Sequence, residues 1–114
     1  MPKTAASLGV SPDEVNDPRR NVEGAANLIR RLTGQLSDIR DGNERIKFVL
    51  ASYNGGLGHV RDAMALARKY GKNPQLWDDV APYILGLQKP LYYRDPVVRY
   101  GYMIGSETAG YVQS

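Results

Sequence analysis

Between positions 22 and 39 the apolar residues return every three or four places. Val22, Ala25, Ala26, Ile29, Leu32, Leu36 and Ile39 fall on one side of a 3.6-residue period, with Arg19, Arg20, Arg30 and Arg31 mainly outside it. That pattern predicts an amphipathic helix and excludes a strand, whose period is two. Asp17-Pro18 supplies its start, because proline at the first helical position gives up an N–H that has no partner there anyway. Thr33 and Gly34 weaken its last turns.

The same punctuation divides the rest of the chain. Ser11-Pro12-Asp13-Glu14 is a start signal that opens only a short turn before Asp17-Pro18. Asp41-Gly42-Asn43 is a turn, and a helix follows with Ile46, Val49, Leu50 and Tyr53 on one side, ending at Asn54-Gly55-Gly56. A further helix runs from about Leu57 to Tyr70, with Val60, Met64 and Ala67 inward, and closes at Gly71. Asn73-Pro74 caps a shorter helix carrying Leu76, Trp77, Val80 and Ile84, and Pro82 predicts a break near Ala81. Residues 86–95 read as a loop rich in aromatic and basic side chains, and Asp95-Pro96 as the cap of the last helix. On that helix Gly101, Gly105 and Ala109 leave one face nearly bare, open to close approach by another helix. Tyr100, Ile104, Glu107 and Tyr111 make a second stripe that sets a carboxylate among apolar and aromatic groups. No strand-type alternation is strong anywhere, so the expected class is all-α, with residues 1–114 as one domain.

Composition narrows the chemistry. The chain has 114 residues and no Cys, which excludes disulfides, thiolate metal sites and Cys nucleophiles. His59 is the single histidine, so a His-rich metal site is impossible. No apolar run reaches the roughly 20 residues of a membrane span, and no basic-then-apolar start reads as a secretory signal. The net charge of +3 is spread along the chain; a solvated surface explains it better than an acidic partner does. Tyr occurs 8 times against 1 Phe and 1 Trp. Tyrosine suits a sugar-binding cleft, having an apolar face and a hydroxyl, but composition alone favours the boundary of a small helical core.

Several segments, in order, carry a resemblance. The chain opens Met1-Pro2-Lys3-Thr4-Ala5-Ala6 and continues with Asp17, Pro18, Asn21, Val22 and Gly24. Then come Ala51-Ser52-Tyr53-Asn54-Gly55-Gly56, Tyr100-Gly101-Tyr102 with Gly105 and Glu107, and finally Tyr111-Val112. Together they resemble a lytic murein transglycosylase catalytic domain of the goose-lysozyme-like kind, nearest the membrane-bound lytic transglycosylase F branch. The resemblance covers essentially the whole chain. It implies a lysozyme-like α-helical fold with a groove for the peptidoglycan glycan strand. It implies cleavage between N-acetylmuramic acid and N-acetylglucosamine to a 1,6-anhydro product, with one Glu as acid and then base, and no metal or cofactor.

In this family the catalytic Glu precedes the Met-Pro-x-Thr-Ala segment, so it is expected upstream of Met1, and the helical domain is expected to be incomplete on its N-terminal side. The resemblance assigns substrate contacts to Met1, Tyr53, Asn54, Gly55 and Glu107. Each has a plainer alternative. Met1 is also an initiating residue; Tyr53 and Asn54 also suit a core tyrosine and a helix-end cap; Gly55 also serves as a helix stop; Glu107 also suits a buried carboxylate tied to a Tyr or Arg. Ser52 stands where many members have Ala. Tyr92, Tyr93, Tyr102 and Tyr111 are candidates for the glycan path or for packing. His59 reads as a surface or capping residue, and Trp77, spaced with Val80 and Ile84, as core.

The expected function is therefore a peptidoglycan lytic transglycosylase, with a catalytically incomplete glycan-binding module as the alternative. A nucleic-acid-binding domain ranks behind both, because the basic residues are scattered and crowd no single helix face. The implied partner is the peptidoglycan glycan strand and not nucleic acid. The implied location is the cell envelope, periplasmic or outer-membrane associated, within a parent protein that the branch allows to be membrane-attached. A chain lacking the Glu-bearing helix is expected to be marginally stable or to self-associate through the uncovered face.

Overall fold

Asp17 begins the part of the chain that the computed structural model describes, residues 17–114. Its carboxylate accepts the Arg19 N–H at 3.0 Å and caps α1, Pro18–Gln35. The start signal at Ser11–Glu14 lies outside the described residues. Leu36 and Ile39 are fully buried, as the periodicity requires, but in a turn after α1 rather than on it. The helix stops early for a tertiary reason: Arg61 takes the Gln35 carbonyl at 2.9 Å and grips the Asp38 carboxylate with both terminal nitrogens. The first half of α1 is uncovered, and Val22 is 67% exposed.

Asp41 caps α2, Gly42–Gly55, by accepting the Asn43 and Glu44 N–H groups at 2.8 and 3.0 Å. The expected inward face needs correction. Val49 is buried, but Ile46 is 59% and Tyr53 37% exposed, and the interior takes Phe48, Ala51 and Ser52 instead. The reason is that α2 is central. It packs on α1 and on two helices that follow it, α3 (Leu57–Lys69) and α6 (Gly105–Gln113), so its apolar surface is no single stripe. Val60, Met64 and Ala67 of α3 point inward as expected. Gly71, at φ +77°, closes α3: its N–H reaches the Arg68 carbonyl at 3.1 Å, and that of Lys72 reaches Ala67 at 2.8 Å.

Helix α4, Trp77–Gly86, is capped from outside its own segment. Leu76 holds the cap position without a side-chain bond, and the Glu44 carboxylate of α2 accepts the Trp77 N–H at 2.6 Å. Asn73 instead accepts the Gln75 N–H at 2.9 Å. Pro82 does not break α4. Pro82 and Asp78, whose carbonyl loses its partner, are both exposed, while Val80 and Ile84 hold the opposite side to the core. The expected loop at 86–95 contains a one-turn helix, α5, Pro90–Tyr93. Asp95-Pro96 does not start the last helix: Asp95 binds Lys69 and the Val97 N–H, and α6 begins only at Gly105.

The described residues are all-α, without a strand. Phe48, Leu36, Ile39, Leu66, Ile84, Leu87, Val60 and Val80 form the innermost layer, and the Phe48 and Trp77 rings meet edge to face at 5.3 Å. Of the nearly bare face expected at 101, 105 and 109, Gly105 is the contact point: a Cβ there would lie 1.9 Å from the Ile84 carbonyl oxygen. Gly101 lies before the helix at φ +77°. Among the described residues no helix is long and apolar enough to cross a membrane.

Candidate functional site

The Tyr53-Asn54-Gly55-Gly56 segment sits where α2 ends and α3 begins. Gly56, at φ +98°, turns the chain between the two helices, a conformation in which a side chain would be strained. Immediately before it, Gly55 lies against α6 and the segment leading to it. A Cβ at 55 would come within 2.6 Å of Thr108 Oγ1 and 2.7 Å of Met103 Cε. That closeness lets the Thr108 hydroxyl donate to Asn54 Oδ1 at 2.9 Å. Asn54 is thus held by one hydrogen bond, while its amide nitrogen makes none among the described residues and its side chain is exposed. A fixed amide with an open donor can serve an acetamido carbonyl or a hydroxyl.

The structure thereby brings together Asn54, Gly55 and, through Thr108, the turn of α6 that carries Glu107. Glu107 is exposed and its carboxylate makes no hydrogen bond or ion pair among the described residues, so the buried, tied carboxylate weighed as its alternative is not what forms. The expected stripe Tyr100, Ile104, Glu107, Tyr111 does not exist as a helix face, because Tyr100 and Ile104 precede α6. Tyr53 is partly exposed beside Asn54, and Met1 lies outside the described residues. Thr108, 98% covered, is the residue that sequence reasoning missed. Its place directly after Glu107 was its only signal. Ser52 is buried and its hydroxyl has no partner among the described residues.

A second contact runs along the same two segments. Asp62, nearly fully buried on α3, accepts the backbone N–H groups of Arg99 and Tyr100 at 2.9 and 2.8 Å. This lays the Tyr100 ring on Gly58, where a Cβ would be 2.7 Å from the ring. A cavity of about 630 Å³ opens there, lined among others by His59, Arg61, Arg99 and Tyr100. His59 is half-buried with its ring and that of Tyr100 in a T-shaped pair at 6.3 Å, and its Nδ1 has no partner among the described residues. Arg61 is already engaged. Its hydrogen bonds hold the Asp38 carboxyl below the usual carboxylate range, and Asp38 in turn raises Arg61.

Of the remaining tyrosines, Tyr111 is exposed on α6 and the other five pack on one another. Tyr70 stacks on Tyr83 at 5.6 Å, Tyr92 meets both edge-on, and Tyr93 meets Tyr102 edge-on at 5.8 Å. Burial pushes the Tyr83 hydroxyl above its usual range. Trp77 is core, as its spacing indicated. Among the described residues no group of His, Asp or Glu is arranged to hold a metal ion.

A helical frame with an exposed Tyr-Asn pair, pinned by a glycine contact to a glutamate-bearing helix, defines an all-α domain of the lysozyme-like class. The model of one family, the Transglycosylase SLT domain, matches residues 1–76, and the chain belongs to that family. It is similar to proteins named membrane-bound lytic murein transglycosylase F. The one from Shewanella loihica is 40% identical over 111 residues, covering 97% of this chain and 22% of that protein. The one from Cellvibrio japonicus is 36% identical over 112 residues, covering 98% of this chain and 22% of that protein. The chain thus spans about a fifth of the length of the curated relatives it matches.

Proposed function

We propose that residues 1–114 are the C-terminal portion of a catalytic domain in a peptidoglycan lytic transglycosylase of the cell envelope. The reaction is non-hydrolytic cleavage of the N-acetylmuramic acid to N-acetylglucosamine bond, leaving a 1,6-anhydromuramoyl end. In this reading the glutamate that protonates the leaving oxygen, and then takes the proton from the sugar's 6-hydroxyl, comes from chain ahead of Met1. This chain contributes one wall of the groove. Asn54 offers its free amide N–H groups to an acetamido carbonyl, Tyr53 stands beside it, Gly55 lets the wall close, and Glu107 and Met1 line the path.

The observation that carries the reading is the Thr108 to Asn54 hydrogen bond across the Gly55 contact. It fixes the amide in one orientation at an exposed edge, in a chain of this family. The parent's periplasmic or outer-membrane location is part of the same proposal; the names of the relatives, which say membrane-bound, support its membrane attachment. Self-association is supported by the exposed Val22 and Ile46 on the outer faces of α1 and α2.

The test compares this chain with a version extended upstream through the expected Glu. Each is incubated with purified peptidoglycan, and 1,6-anhydromuropeptides are sought by mass spectrometry. Products from the extended form alone are expected, and an Asn54→Ala change in that form should reduce them. Absence of products from both folded forms would leave a glycan-binding module instead.

A further inference from the structure

We propose that the cavity between the start of α3 and residues 97–100 is a specificity pocket for the terminal carboxylate of a peptide stem on the glycan. The proposal rests on the transglycosylase reading above and adds what that reading leaves open, the recognition of the stem.

The first support is position. Gly55 touches Met103 and Thr108, and three residues on Gly58 touches Tyr100, so residues 55–58 and 100–108 run side by side. The Asn54 edge and the cavity, whose lining begins two residues on at Gly56, therefore lie along one seam. The second is size. At about 630 Å³ the cavity falls within the roughly 300–1,000 Å³ typical of ligand sites.

The third support is charge. Asp62 is the single carboxylate in the lining, and both its oxygens are spent on the Arg99 and Tyr100 backbone. Arg61 is committed to Asp38 and the Gln35 carbonyl. The Arg99 guanidinium has no ion pair or side-chain hydrogen bond among the described residues, yet it lines the cavity. An arginine matches a carboxylate with two parallel N–H bonds. Beside it, the Tyr100 ring, 66% exposed, together with Leu57 and Val97, gives an apolar wall for the alkyl groups of a short peptide. A neutral N-acetylglucosamine chain offers this guanidinium only neutral carbonyl and hydroxyl acceptors, whereas a stem peptide carries both a carboxylate and alkyl groups.

A carboxylate could also come from the lactyl group of stem-free muramic acid, and the experiment separates the two sources. Binding of the protein to tetrapeptide-bearing glycan and to enzymatically stem-stripped glycan is measured by calorimetry, for the parent and for Arg99→Gln. Arg99 is exposed, so the change leaves the fold intact. The expected result is a loss of about tenfold for the peptide-bearing glycan and less than twofold for the stripped one. Equal losses on both would assign the pocket to the lactyl carboxylate, and no loss on either would show that it takes no substrate carboxylate; both overturn the proposal. Binding is measured in the upstream-extended form. If that form binds neither glycan and releases no anhydro product, the transglycosylase reading itself fails, whereas anhydro products without any effect of Arg99→Gln overturn this proposal alone.

Discussion

A methyl group added at three glycines would meet three kinds of neighbour. At Gly34, near the end of α1, it meets nothing within 4 Å. Gly34→Ala should therefore raise stability by about 0.5–1 kcal/mol, the usual gain in a helix interior. At Gly55 the new Cβ meets Thr108 Oγ1 and the Met103 methyl. Methionine can bend away, but β-branched Thr108 must rotate and release Asn54, so a loss of about 1–3 kcal/mol is expected. At Gly105 the obstacle is the Ile84 backbone, which can yield only if α4 and α6 separate. Gly105→Ala should cost more than Gly55→Ala, and urea midpoints of the three variants give the order directly. At this scale sequence and structure part company in an understandable way. The spacing of 105 and 109 announced a small-residue contact, but spacing cannot say which backbone arrives. Likewise Tyr53 and Asn54 were legible because the motif is contiguous. Thr108 and Asp62 were not, because their partners lie 54 and 37 to 38 residues away.

The elements show where local signals suffice and where a neighbour overrides them. Asp17 and Asp41 start α1 and α2 with their own carboxylates, so those starts are written in four consecutive residues. The start of α4 is not local. Its first N–H is satisfied by Glu44, whose other oxygen accepts from Lys47 at 2.8 Å. The Lys47 hydrogen bond, and then that of Trp77, hold the Glu44 carboxyl below its ordinary range. Glu44→Ala should cost about 1–2 kcal/mol, the range of a lost helix cap. Glu44→Gln should cost less, since its carbonyl oxygen still accepts from Trp77. Lys47→Ala should cost less again, because that pair lies at the surface. If all three variants unfold at the same urea concentration as the parent, the cross-helix cap contributes nothing. The same dependence on neighbours explains why residues 86–104 were misread. Their course is set by Asp62, Lys69 and the Leu87 carbonyl, none of which a propensity scale can see.

At the scale of the molecule, its shape and its acid response have one origin in how few ties join its parts. The radius of gyration is 15.8 Å and the longest extent 49 Å, against roughly 13 Å expected for a compact chain of this length. In α1, Leu32 is the only buried residue. What fixes the turn after α1 to α3 is the Asp38–Arg61 pair, and what fixes residues 95–97 to α3 is the Asp95–Lys69 pair. With Glu44, that makes three carboxylates that tie distant segments and also accept from an Arg or Lys side chain. Each is held below its ordinary pKa chiefly by the side-chain hydrogen bond it accepts, from Arg61, Lys47 and Lys69 respectively. A carboxyl whose pKa is lower folded than unfolded binds fewer protons in the native state. Its contribution is complete above the unfolded pKa and drains away as pH falls through the folded one. Thermal stability should therefore be level from neutral pH to about pH 5 and fall below about pH 4, where unfolded carboxylates take up protons. An Asp38→Asn variant makes the sign visible. At pH 7 it should melt below the parent, and the gap should narrow steadily as both are taken to pH 3, because acid removes from the parent what the variant already lacks. The pair is half exposed, so salt at pH 7 should narrow the same gap. A gap that stays constant across pH would mean that Asp38 acts through packing and not through its charge.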